Sequence, residues 1–217
     1  PPGVFNLLMG NGEDVGEALV SNPKVDMVSF TGSTRAGKRV GAIASQSIKR
    51  VALELGGKSS SVVLDDADLA RAIKGTLNSC FLNSGQTCLA HTRLLIPENK
   101  YDEAKTIVLA AVEKMKIGDP FAEGTRLGPV ISSAQKDRIR NYITTAKKEG
   151  AEVIVGDAEI PNELLSGNFV QPTVLGKVKP NDTVAQEEIF GPVLSIITYK
   201  DEEEALKIAN NTIYGLG

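Results

Sequence analysis

The sequence predicts an α/β protein built on a parallel sheet, and two observations carry that prediction. Short apolar, β-branched runs alternate with stretches of helical periodicity through the first 65 residues, and the alternation continues from Asp66 onward. Strands that alternate with helices imply βαβ units, in which each crossover returns the next strand parallel to the last. A chain of 217 residues suits one large domain or two small ones and can bury a sizeable core.

The elements follow in order. Residues 4–9 (VFNLLM) are a short apolar, strand-like run, followed by a Gly-rich turn and the helical DVGEALVSN. Residues 27–31 (MVSFT) read as a strand entering the turn GSTRAG, with a helix from 36 to about 46. Residues 51–55 (VALEL) and 61–64 (SVVL) read as short buried strands. A helix from 68 to about 83 has Leu69, Ala72, Ile73, Leu77, Cys80 and Phe81 on one face, with Asp65, Asp66 and Asp68 at its dipole-favoured start. A strand at 92–96 and a helix at 99–116 precede the Gly/Pro loop GDPFAEGTRLGPVIS, whose length suits a functional loop. Residues 132–150 form a polar-faced helix stopped by glycine. Strands at 152–155, 168–178 and 193–199 and an acidic-started helix at 201–211 complete the reading. No repeat or flexible linker interrupts it, and a boundary between two domains would fall at ELGGK, residues 54–58.

Composition excludes several classes. The net charge of −3, with Lys and Arg scattered, argues against a nucleic-acid surface. No apolar run approaches the ~20 residues that span a bilayer. Two cysteines make no disulfide framework, and a metal site would want more Cys or His ligands than the chain's single His provides. Free thiols, a reducing compartment and a cytoplasmic location are therefore expected, with no metal. Both ends look like cuts through a continuing pattern, so a portion of a longer chain is expected.

Four stretches can carry chemistry. In FTGSTRAG, residues 30–37, a strand ends in a Gly-Ser-Thr turn that opens a helix. Such a turn offers free N–H groups and hydroxyls to an anion, with Gly32 allowing close approach and Ser33 a natural cap; a capped helix alone is the alternative. In VALELGGKS, residues 51–59, Glu54 lies in an apolar strand. Burial would raise its pKa toward that of a general base, whereas outward alternation or pairing with Lys58 would leave it ordinary. In NSGQTCLAHTR, residues 83–93, Cys88 sits where the chain bends, so backbone N–H groups could lower its pKa and receive an oxyanion. Cys80 reads as core. His91 is three residues beyond Cys88, a spacing that fixes no dyad geometry in a loop, and it reads as surface or structural. In AQEEIFGPVLSI, residues 185–196, Glu187 and Glu188 precede a Phe-Gly-Pro turn, where a carboxylate can accept hydrogen bonds from a ribose diol or simply be solvated.

Taken together and in this order, FTGSTRAG, LELGGKS, NSGQTC and EEIFGPV make the chain resemble the aldehyde dehydrogenase superfamily; GDPFAEGTRLGPVIS, FVQPTV and NNTIYGL extend the resemblance over the whole length. It implies the last strands of a Rossmann-like NAD(P)-binding domain at residues 1–56, followed by most of an α/β catalytic domain at 57–217. It implies NAD(P)-dependent oxidation of an aldehyde to a carboxylic acid. Cys88 would be the nucleophile, its N–H part of the oxyanion hole, and Glu54 the base that activates water against the thioester. Gly32 and Ser33 would lie against the pyrophosphate of NAD or NADP. Glu188 would hold the nicotinamide ribose with Phe190 packed nearby, and Leu55 and Gln135 would also contact the cofactor. The family's longer chain adds an Asn oxyanion donor, adenosine-ribose residues and a subunit-bridging strand, so a homodimeric or homotetrameric parent is implied. An alternative is a folding or assembly module with residual thiol esterase activity.

Overall fold

Parallel pairing of Met27–Thr31 (β1) with Arg50–Glu54 (β2), in register from Met27 opposite Arg50 to Thr31 opposite Glu54, organises the first part of the chain. The computed structural model describes residues 1–160, 164 and 166–216, and it divides into two units, Pro1–Gly56 and Gly57–Gly217. In the first unit Thr34–Ser45 (α2) crosses from β1 to β2. Ser33 starts it: its extended backbone turns the chain and its Oγ accepts the Ala36 N–H at 3.2 Å. A short helix, Glu17–Ser21 (α1), follows a π-type turn over Gly12–Gly16 that the Asn11 side chain caps. Residues 4–9 form no strand, contrary to the apolar-run expectation. Val4, Phe5, Leu7, Leu8 and Met9 are all largely exposed, and among the described residues no strand pairs with them. An apolar run without a ladder partner leaves its backbone groups to water.

The second unit is built on a five-stranded sheet in the order β3-β4-β9-β8-β7. Its strands are Ser59–Val62 (β3), His91–Pro97 (β4), Glu152–Val155 (β7), Thr173–Gly176 (β8) and Val193–Tyr199 (β9). The first four in that order run parallel, and β7 is an antiparallel edge. Helices cover both faces. Leu69–Phe81 (α3) and Tyr101–Val112 (α4) pack with Leu94, Ile96, Leu194 and Ile196 on one side. Ser133–Glu149 (α5), Thr183–Gln186 (α6) and Glu202–Asn210 (α7) pack with Leu95, Leu175, Val193 and Ile197 on the other. Alternate residues of β4 thus enter opposite cores, which is why LLIP is continuously apolar rather than alternating.

Helix ends follow local chemistry. Asp68, Ser132 and Asp201 each accept a backbone N–H of the first turn, and α5 ends at Gly150 in the left-handed region, φ 98°. Three expectations shift. The helix expected to reach residue 116 stops at Val112, because Lys116–Ile117 (β5) pairs with Thr125–Leu127 (β6), which lies inside the supposed long loop. The strand expected over 168–178 shrinks to Thr173–Gly176, since Pro172 carries no N–H for a ladder. The strand expected at 61–64 lies at Ser59–Val62, where β4 supplies its partners.

Candidate active site

Adjacent strands bring distant loops together. β3, β4 and β9 are neighbours and parallel, so the segments that lead into them emerge side by side at one edge of the sheet. Those segments contain Gly57, Cys88 and the Glu187–Gly191 turn. Gly57 joins the other two. Its N–H donates to Glu188 Oε1 at 3.1 Å, and a Cβ built on it would fall 2.2 Å from the Cys88 carbonyl oxygen. Gly85 makes a second seam, because a Cβ there would fall 2.1 Å from the Gly191 carbonyl carbon.

The approach to Cys88 is a strained, braced turn. Asn83, Ser84 and Gly85 take φ of 51°, 56° and 75° in succession. Left-handed backbone at a non-glycine residue costs about 1–3 kcal/mol and persists only where neighbours enforce it. Here Ser84 Oγ donates to the Gly128 carbonyl at 2.9 Å. Gln86 spans the loop, with Nε2 donating to Asn83 O at 3.1 Å and Oε1 accepting the Ile131 N–H at 2.9 Å. Cys88 itself is half-buried in the turn that precedes β4, and among the described residues its N–H makes no hydrogen bond. Cys80 is fully buried in the α3 core, where burial pushes its thiol up to about 12. Among the described residues no hydrogen bond joins Cys88 to His91, whose N–H takes Ser79 Oγ and whose side chain lines a groove with Asp68 and Arg71.

On the opposite side of Gly57, Glu188 is half-buried and Phe190 adopts φ 60°. Gln135, expected at the cofactor, has its Nε2 committed to the carbonyls of Ile189 at 3.0 Å and Phe190 at 2.8 Å. Two further residues were not legible from motifs. Arg93 reaches across from β4, donating to the carbonyls of Lys58, Ile208 and Ala209 at 2.9, 2.9 and 2.7 Å. Lys58 is 2% exposed and its Nζ has no partner among the described residues; burial pushes the amine down to about 7, opposed mainly by the field of Cys80 and reinforced by Arg93. The signal that could have found it is a lysine wedged between Gly-Gly and a buried strand. Among the described residues no group of His, Cys, Asp and Glu could hold a metal ion, and no helix is long and apolar enough to cross a membrane.

In the first unit the remaining residues gather at the C-terminal ends of β1 and β2, the usual ligand edge of an open parallel sheet. Gly32 N–H donates to Glu54 O at 3.0 Å, and Leu55 packs so closely on Gly37 of α2 that a Cβ would fall 2.3 Å from its Cδ2. Glu54 is exposed, so of the two readings of VALELGGKS the outward-facing side chain is the one found. Beside the start of α2 lies a cavity of about 620 Å³, lined by residues that include Asn11, Glu13, Phe30, Arg35, Arg39 and Ile43. Its volume suits a small-molecule ligand.

Comparison with known proteins gives this arrangement its kin. The model of the aldehyde dehydrogenase family matches residues 1–217. The chain is 47% identical over 216 residues to 3-succinoylsemialdehyde-pyridine dehydrogenase of Pseudomonas sp, covering all of this chain and 45% of that protein. It is 44% identical to the mitochondrial succinate-semialdehyde dehydrogenase of Arabidopsis thaliana, covering 40% of it. The crystal structure of a mutant aldehyde dehydrogenase C from Pseudomonas syringae, complexed with NAD+ and octanal, superposes over 100% of this chain and 45% of its own, with TM-score 0.98 and 42% identity. That of a Mycobacterium tuberculosis aldehyde dehydrogenase with NAD+ covers 92% of this chain and 41% of its own, with TM-score 0.89 and 45% identity. The chain spans about half the length of the curated relatives it matches. With the four motifs in order and the family model matching all 217 residues, the chain belongs to the aldehyde dehydrogenase family.

Proposed function

We propose that this chain carries the thiol chemistry of an NAD(P)-dependent aldehyde dehydrogenase, which oxidises an aldehyde to a carboxylic acid. The observation that carries the reading is the convergence of Cys88 and Glu188 on Gly57. Cys88, as thiolate, adds to the aldehyde carbon, forming the C–S bond of a thiohemiacetal and placing negative charge on oxygen. The unengaged Cys88 N–H is a donor for that oxyanion, and the braced 83–87 turn holds it without reorganisation. Glu54 takes a proton from water, the resulting hydroxide attacks the thioester carbon, and the C–S bond breaks to release the acid and the Cys88 thiolate.

The residues present fit a dinucleotide. The first unit offers a dinucleotide the N-terminus of α2 behind Gly32 and Ser33, and the second offers Glu188, whose Oε2 makes no hydrogen bond among the described residues. Gly32 and Ser33 would meet the pyrophosphate, Leu55 would contact the cofactor, and Glu188 and Phe190 would hold the nicotinamide ribose. Bound there, NAD or NADP would supply the hydride acceptor that turns the thiohemiacetal into a thioester. The NAD+ complexes of the Pseudomonas syringae and Mycobacterium tuberculosis relatives, and octanal in the former, support cofactor and substrate class.

The test is Cys88→Ala in the purified protein, assayed for aldehyde-dependent NAD(P) reduction. Complete loss of turnover with a retained melting temperature is expected; retained turnover removes Cys88 from the mechanism.

A further inference from the structure

Four residues of α5 touch one turn. Gln135, Arg138, Ile139 and Tyr142 recur at the spacing that places side chains on a single helix face. Gln135 Nε2 donates to the carbonyls of Ile189 and Phe190, at 3.0 and 2.8 Å. Arg138 Nη2 donates to the Glu188 carbonyl at 2.8 Å. Tyr142 Oη donates to Glu187 Oε2 at 2.7 Å, and the Arg138 guanidinium lies 5.5 Å from the centroid of the Tyr142 ring. Ile139 fills the space beside Gly191, where a Cβ would fall 2.4 Å from its Cδ1. Every carbonyl from Glu188 to Phe190 is therefore held by an α5 side chain.

The turn needs holding. Phe190 is a bulky residue at φ 60°, a conformation that costs about 1–3 kcal/mol and relaxes without support. Gln135 takes the two carbonyls that flank that strained centre, and Tyr142 anchors the acidic residue that starts the turn.

We propose that Gln135 and Tyr142 are positioning residues that act through the 187–191 turn, fixing Glu188 and Phe190 for the nicotinamide ribose. The proposal rests on the dinucleotide reading above. It gives Gln135 a bracing role through Nε2 that is separate from the direct cofactor contact the family resemblance implies.

The experiment compares the parent with Gln135→Met, which keeps length and removes the donor, and Tyr142→Phe, which removes one hydroxyl. NAD+ dissociation constants are measured by calorimetry, and amide exchange of the 187–194 peptide is followed without ligand. Gln135→Met is expected to speed exchange in that peptide at least ~10-fold and to weaken NAD+ ~5–20-fold. Tyr142→Phe is expected to do both to a smaller extent, with melting temperatures close to the parent's. Weakened NAD+ with unchanged exchange would mean direct contact and overturns the proposal while leaving the dinucleotide reading intact. Faster exchange with unchanged NAD+ affinity would reduce the brace to a structural role and also overturns it. A parent that binds no NAD+ overturns the dinucleotide reading and this proposal with it.

Discussion

The N–H of Gly57 donates to Glu188 Oε1 across 3.1 Å, joining residues 131 positions apart, while the other side of Gly57 lies against the Cys88 carbonyl. One residue without a side chain thus sets the separation between the thiol-bearing turn and the carboxylate turn. A methyl group placed there meets backbone rather than a flexible side-chain tip. Gly57→Ala is therefore expected to destabilise by ~1–3 kcal/mol, as overpacking does, and to change the alkylation rate of Cys88. Urea titration and thiol kinetics check both. A variant with the parent's midpoint and rate would show that the Cys88 turn shifts freely.

The two thiols are expected to separate by rate. Cys88 is half-buried at a turn, whereas Cys80 is fully buried with its thiol pushed up to about 12, so only ~10⁻⁴ of Cys80 is thiolate at pH 8. An aromatic disulfide reagent should label one equivalent quickly in the native protein and the second only on unfolding. Cys88→Ala should remove the fast equivalent. A second fast thiol in the native state contradicts the burial of Cys80.

Lys58 makes stability depend on pH in a defined direction. Burial lowers its folded pKa from the ordinary 10.5 to about 7, so between those values the unfolded chain binds more protons than the folded one. By linkage, stability rises with pH across that window, and the burial penalty is fully present below it. Lys58→Met removes the penalty. Its stability relative to the parent is expected to be greatest near pH 6 and to shrink by up to ~1.4 kcal/mol per pH unit from about 7 toward 10. Urea midpoints of both proteins along that series are the measurement. A pH-independent difference would mean that Lys58 stays protonated when folded.

If Glu54 is the deacylation base proposed above, Glu54→Gln is expected to separate acylation from deacylation. The first turnover should persist, giving a burst of about one equivalent per active site, while steady-state turnover falls ~10²–10⁴-fold through loss of a general base. Rapid-quench measurement of the burst is the check. Undiminished deacylation would assign the base to another group.

Much of the fold was legible because strand runs are rich in β-branched and aromatic residues. Strands β1, β7 and β9 lie at the expected residues, since MVSFT, EVIV and VLSIITY are runs that only a sheet accommodates. The 4–9 run misled because apolar character predicts burial, whereas a strand also needs a partner for its backbone. The short β5–β6 pair was invisible because two or three residues carry no periodicity.

By itself, the sequence determined the alternation of strands and helices, the caps at Ser33, Asp68, Ser132 and Asp201, and the order of four motifs that names a family. These are local matters, written in spacing and in side-chain chemistry within a few residues. Only the tertiary structure decided that β3, β4 and β9 are neighbours, so that the loops before them meet at Gly57. It also decided that Gln135 serves a turn 54 residues away and that Lys58 is a buried, unpartnered amine. Such relations arise from packing between segments far apart in the chain, and no window along the sequence contains both partners.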